Sequence, residues 1–486
     1  MTPCSLLPLV SRLRLLLVVV VLSFGQEHFA SAQGIGRSST TTAWTPIPAA
    51  NSAVEPNARE SEVRRIVEEV LAGRDMQPPM PTFPEPNGQC EDCFSLSDFV
   101  SQKLTVRLGG AGSLKLYGYG RGDLILTTSR LNNTVVPFYA LSEDPTNITP
   151  AGVPIRENDG EFNTNVRLTR VGLDYDGPHA EHLGNAKLGA KIEIDFETLL
   201  RITSESRAVP RIRLAYGKMT WGELSILAGQ DWDVISPLLP MINDDSLMWF
   251  AGNLGDRRPM LRTTWNHELS GGDWLKIDSA ISSGGAIDGK DLDGNGIKDG
   301  EDSGYPAFQG RVGYSVPNYA CEQSAEIGVW GFASFESVEV PIGGNDDFSS
   351  RGLGIDWSLP LLSAITWRGE AWYGRNLSDW RGGIGQGINT VTGEEIEAHG
   401  GWTELQFQMK PWWKLALGAT IDNPVDNDLI GSAATRTLNR TWYVGNRFPL
   451  GGGLNIAFNV EFWKTEFLTL DEGDAVRFKT WLIQRF

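Results

Sequence analysis

The stretch Asp291–Asp302, DLDGNGIKDGED, sets oxygen-bearing side chains at a spacing that wraps a hard cation. Asp291, Asp293, Asn295, Asp299 and Asp302 stand at positions 1, 3, 5, 9 and 12, Gly296 permits the sharp turn at position 6, and Ile297 offers its carbonyl at 7. Calcium is the cofactor such a ligand set takes. Asp302 replaces the usual bidentate Glu and no helix pair is expected to flank the loop, so the competing reading is a solvated, glycine-rich acidic turn.

A second chemistry is electrostatic. Arg211, Arg213, Arg258 and Arg262 sit on the polar face of alternating runs, and the link between those runs carries Asp231, Asp233, Asp244 and Asp245 among Leu238, Leu239, Met248, Trp249 and Phe250. A link this apolar would not float in solvent. Folded inward, it would bring carboxylates opposite arginines across a narrow passage, and the transverse field would orient and weight charged solutes. The bland alternative makes the same arginines struts that pair with nearby acids. Catalysis has little to work with, since His179, His182, His267 and His399 have no recognisable Ser or Asp pairing in sequence.

The elements that must position these residues alternate with a period of two. Leu224, Ile226 and Ala228 oppose Glu223 and Ser225, Leu261, Thr263 and Trp265 oppose Arg258, Arg262 and Asn266, and Ile212, Leu214 and Tyr216 are expected to oppose Arg211 and Arg213. Ala186 to Phe196 is the clearest case, with Lys187, Lys191, Glu193 and Asp195 between apolar neighbours. About sixteen such runs fill residues 113–486. Alternate links are short, as at Met219–Gly222 and Pro411–Trp412, while most of the intervening ones are long, as at Thr127–Phe162 and Ser282–Pro306. A sandwich has no reason to keep its long loops at one end, whereas an outer-membrane barrel has short periplasmic turns and long outer loops. Tyr216, Trp265, Tyr314, Trp357, Tyr373, Trp413, Phe462 and Phe478 lie near strand ends, as interfacial girdles require. The wet face carries both signs of charge, including Arg311, Arg368, Glu370, Glu404 and Arg477, which suits a water-filled lumen better than a closed core. The expected fold is therefore all-β, an antiparallel transmembrane β-barrel of about sixteen strands, embedded in outer-membrane lipid.

The rest of the chain reads as export machinery and spacer. Residues 1–32 combine Arg12 and Arg14, an apolar run and Ala30-Ser31-Ala32, which is a secretory signal peptide. Residues 33–56 are a flexible leader, 57–73 a short periplasmic helix capped by Asn57 and closed by Gly73, and 74–112 a Pro-rich linker. Cys90 and Cys93 suit a short-range disulfide or a local structural role better than a redox motif, and Cys321 stands alone. The formal charge of −18 argues against nucleic acid as a partner. The function expected is an outer-membrane porin for passive diffusion of small hydrophilic solutes, leaning to anions. The alternative is a structural or adhesive surface barrel with a calcium-binding external loop, and not an enzyme.

Several segments resemble a known family. KLYGYGRGDLIL at Lys115–Leu126, RLTRVGLDYDGP at Arg167–Pro178, KLGAKIEIDF at Lys187–Phe196, RIRLAYGKMTWGELSILAGQDWD at Arg211–Asp233 and GDRRPMLR at Gly255–Arg262 are similar to the DcaP-like porins. The last strand, VRFKTWLIQRF, ends in Phe486 with Leu482 and Phe478 on the same face, similar to the terminal assembly signal of outer-membrane barrels. The resemblance covers the first half of the barrel well and the second half in pattern. It implies a homotrimer of sixteen-stranded channels with an N-terminal periplasmic helical segment, and uptake of small anionic solutes past pore-lining arginines.

Overall fold

The computed structural model describes residues 105–148, 152–154, 159–197, 208–242, 246–320 and 323–486. The expected signal peptide, leader, helix, residues 74–104 of the linker, and Cys90, Cys93, Cys321, Asp244 and Asp245 lie outside them.

Alternating apolar and polar residues favour strands that present one face to each environment, and here they close into a single antiparallel barrel of sixteen strands. In chain order these are β1 (Ser113–Thr127), β2 (Glu161–Asn165 and Arg170–Ala180, broken between), β3 (Ala186–Glu197), β4 (Val209–Trp221), β5 (Leu224–Trp232), β6 (Arg257–Glu268), β7 (Trp274–Ser282) and β8 (Ala307–Ala320). They continue as β9 (Gln323–Ile342), β10 (Asn345–Leu362), β11 (Ile365–Arg375), β12 (Glu397–Lys410), β13 (Trp413–Pro424), β14 (Arg436–Gly451), β15 (Leu454–Phe467) and β16 (Gly473–Arg485). Each strand pairs with its chain neighbours, and β16 pairs with β1 from Tyr119↔Arg485 to Thr127↔Arg477, which leaves no open edge. A short strand, Thr105–Arg107, adds to the start of β1.

The outer wall exposes Ile192, Leu353, Ile355, Leu417, Trp442 and Phe462, an apolar band suited to lipid. Rings cluster near its rim: Trp357 and Trp367 lie 5.2 Å apart, and Trp413 and Phe448 6.3 Å apart. Tyr216 departs from the alternation expected of it. The β3–β4 register shifts between Glu193↔Leu214 and Ile194↔Ile212, a bulge at Arg213 that flips the facing of the residues after it. Ile212 stays on the lipid side, while Tyr216 turns inward and packs against Leu227, Val234, Met260 and Ala280.

Two further features stand out. Residues 336–350 continue β9 and β10 as a long hairpin closed by Gly343 and Gly344, both at positive φ. The extension is held because Val338 and Phe348 bury against Ile388, with Leu292 and Ile342 beside them. The inner face is also far less hydrated than an open lumen would be. Trp330, Trp380 and Trp463 are fully buried there, and Arg477 meets Glu461 at 3.3 Å with neither side chain exposed. Inward-folded loops cover this wall, so its charges are matched by partners rather than by water.

Candidate functional site: the constriction

The link between β5 and β6, residues 233–256, starts and ends at one clasp. The Asp233 N–H donates to the carbonyl of Asp256 at 2.8 Å, and the Asp256 N–H returns a bond to the Asp233 carboxylate at 2.9 Å. From there the chain crosses the barrel. The Glu370 carboxylate on β11 accepts from the Leu238 N–H at 2.8 Å and from the Ser236 hydroxyl, and the Glu404 carboxylate on β12 accepts from the Met241 N–H at 2.7 Å. Farther along, Ile242, Met248 and Ala251 bury against Tyr443 on β14 and Trp463 on β15. At Gly252 (φ +125°) a Cβ would stand 2.3 Å from the Gly401 carbonyl, so only glycine lets the loop lie this close to the wall. The Trp372 indole N–H donates to the Gly252 carbonyl at 2.7 Å. Burial of a single large apolar side chain contributes about 1.5–3 kcal/mol, which explains why so apolar a link folds inward.

The four predicted arginines fall into two kinds. Arg211 donates to Asp195 at 2.8 Å and Glu197 at 2.6 Å, and Arg262 donates to Asp231 at 2.6 Å; both retain lumen-facing surface. Arg213 is buried between Glu193 at 2.9 Å and Asp195 at 2.8 Å. Arg258 has no exposed surface at all. It pairs with Asp233 at 2.8 Å and with Asp379, from the link between β11 and β12, at 2.9 Å, and its guanidinium lies 3.8 Å from the Trp380 ring centroid. Its position is therefore that of a strut tying two inward loops to the wall rather than of a side chain lining open water.

The alternation of β11 and β12 turns Glu370 and Glu404 inward, but their role as anchors depends on contacts with residues more than a hundred positions away. Alternation turns Arg368 inward as expected but does not reveal its partners, and nothing in the sequence around Arg381 marks that residue. Arg381 bonds Asp256 at 2.6 Å, and Arg368 reaches both Glu404 and the Leu239 carbonyl at 3.4 Å. Beneath the first arm of the loop lies a cavity of about 270 Å³ bordered by Asp231, Arg262, Lys276 and Asp278. His179, His267 and His399 sit near strand ends and His182 in the turn Glu181–Leu183, with His267 bonded to Glu223 and His399 to Asn423.

In the link between β7 and β8, carboxylate oxygens of Asp291, Asp293 and Asp299 lie within 4.8 Å of one another. The Asn295 and Gly296 N–H groups turn back onto Asp291 at 3.1 and 2.9 Å, with Gly296 at φ +90°, and the Asn295 amide donates to Asp302 at 2.7 Å. Asp293 accepts from the Glu339 N–H at 2.6 Å, which ties the loop to β9. Burial raises the pKa of Asp299, and Asp291, Asp293 and Asp288 add to the rise. Burial also acts upward on Asp293, but the N–H groups of Glu339, Asn295 and Val340 outweigh it and hold this carboxyl below its usual range.

No protein-family model and no curated protein matches the sequence. The fold does match solved structures. The outer membrane channel DcaP of Acinetobacter baumannii superposes with a TM-score of 0.61 at 17% identity, over 78% of this chain and 99% of that one. OmpF of Salmonella typhi gives 0.49 at 12% identity over 79% and 100%, and an anion-selective porin from Comamonas acidovorans gives 0.48 at 12% over 77% and 100%. The chain thus has the fold of outer-membrane channels, a closed sixteen-stranded barrel.

Proposed function

We propose that the protein is a porin through which small hydrophilic solutes diffuse passively, narrowed by loop 233–256 and favouring anions. The observation that carries the anion preference is the unequal exposure within four ion pairs around the loop, an order that the Arg311–Glu326 pair, 3% against 42%, reverses. Arg211 keeps 26% of its side chain exposed against 0% for Asp195, Arg368 22% against 0% for Glu404, and Arg381 20% against 7% for Asp256. Arg262 follows the same order, 21% against 13% for Asp231. A passing solute meets guanidinium heads first, with the carboxylates behind them, so the local potential is positive although the chain as a whole is acidic. The test is a planar-bilayer recording in a potassium chloride gradient. Current steps with a reversal potential on the anion side are expected, moving toward cations when Arg211 and Arg262 are both replaced by Ala; unchanged selectivity in that variant would remove the anion reading.

A second reading, a structural or adhesive surface barrel, draws on the outer loop. Asp291, Asp293 and Asp299 fit a hard cation such as calcium, with Asn295, the Ile297 carbonyl and Asp302 able to complete the set. Isothermal calorimetry decides it, since no heat in millimolar calcium means a plain acidic turn. Assembly as a homotrimer fits the outer face of β1, where a Cβ added at Gly120 or Gly122 would meet nothing within 4 Å, so that the two glycines leave a smooth strip for a neighbouring barrel.

A further inference from the structure

We propose that the cavity beneath the first arm of loop 233–256 is a binding subsite for small zwitterions, solutes that carry a carboxylate and an ammonium on a short apolar body; this rests on the channel reading above. Its volume, about 270 Å³, is enough for an amino acid.

Three of the charged groups at its border are committed elsewhere. Asp233 is held by Arg258 at 2.8 Å, Asp256 by Arg381 at 2.6 Å, and Arg311 by Asp356 at 2.6 Å. What remains is a pair of each sign on adjacent strands: Asp231 with Arg262 at 2.6 Å, and Lys276 with Asp278 at 3.0 Å. Lys276 is the most accessible of the four, with 47% of its side chain exposed. Arg262 occupies Oδ2 of Asp231, and Oδ1 accepts no hydrogen bond among the described residues. The roof is apolar, formed by Val234, Pro237 and Leu239.

A lone anion entering this space gains Lys276 but meets Asp231 and Asp278, and a lone cation meets the reverse. A solute with both charges gives its carboxylate to Lys276 and its ammonium to Asp231, so neither ion is left desolvated without a partner. Its side chain then displaces water from Val234, Pro237 and Leu239. The exposed guanidinium heads above attract the carboxylate end; recognition of the ammonium end is what the cavity adds.

Leucine, 4-methylpentanoate and 3-methylbutylamine share one skeleton and differ only in charge. Two readouts are used on the whole protein: block of single-channel current in planar bilayers, and the component of the tryptophan fluorescence in detergent that is lost in Trp232→Phe, since Trp232 borders the cavity. Leucine is expected to act at about tenfold lower concentration than either single-charge probe, the effect of one added charge-assisted bond. Lys276→Gln should erase its advantage over the amine, and Asp231→Asn its advantage over the acid. If either single-charge probe matches leucine, or the advantage survives both substitutions, the proposal is overturned. Absence of current steps with the leucine fluorescence response intact would end the channel reading and leave the subsite standing. Should a variant not assemble, the three-probe comparison on the unaltered protein decides alone.

Discussion

At the scale of single residues, exposure separates Arg211 and Arg262, the two arginines proposed to steer solutes, from the buried Arg213 and Arg258. Arg258 is enclosed by Asp233, Asp379 and the Trp380 ring. Removing it strands two buried carboxylates, so Arg258→Ala should lose about 3–5 kcal/mol in urea unfolding. Arg211→Ala and Arg262→Ala, at partly exposed pairs, should each lose about 1 kcal/mol or less and move the reversal potential instead. Equal destabilisation by all three would erase the distinction. Both kinds of arginine look alike in the sequence, because alternation reports which face a side chain takes and not what folds over that face. Tyr216 shows the limit of alternation itself: the bulge at Arg213 has no signature among its neighbours, and one extra residue reverses every facing that follows.

At the scale of elements, the proposed constriction depends on two buried carboxyl groups that reach loop 233–256 from the opposite wall. Glu370 holds Ser236 and Leu238, and Glu404 holds Met241. Each of these buried hydrogen bonds contributes about 1 kcal/mol, so Glu370→Gln with Glu404→Gln should loosen the loop and raise single-channel conductance, with noisier open states. An unaltered conductance would mean that the apolar contacts to Tyr443 and Trp463 suffice. The outer loop makes a prediction with a sign. Asp299 has its pKa raised by burial, so its contribution to loop stability is present at acid pH and declines as pH rises through the folded value. Calcium should therefore slow amide exchange across residues 288–302 at neutral pH and have little effect in acid, where Asp299 is protonated. The loop's position between strands was legible from its spacing and surroundings. Its tie to β9 through the Glu339 N–H was not, since that bond joins residues forty-six positions apart.

At the scale of the whole molecule, closure is the cooperative event. β1 and β16 meet only when the full sheet has formed, and the seam ends with Phe486, whose N–H donates to the Gly118 carbonyl at 3.1 Å. Deleting residues 484–486 removes the pairs Gly120↔Gln484 and Tyr119↔Arg485 and should abolish the heat-resistant folded form on electrophoresis. Strand number, pairing order and the sidedness of the links could all be read in advance, because lipid outside and polar groups inside impose a two-residue period on every strand. The filling of the bore could not, because it is set by loops meeting walls far away in the chain. The β9–β10 hairpin carries one last consequence. A strand of 20 residues at about 3.3 Å each runs some 66 Å, whereas a bilayer takes up only about 9–11 residues of a strand. Much of that hairpin must reach beyond the bilayer as a buttress for the neighbouring outer loops: the Glu339 N–H donates to Asp293 at 2.6 Å on one side, and the Asn345 amide donates to the Gly393 carbonyl at 2.6 Å on the other.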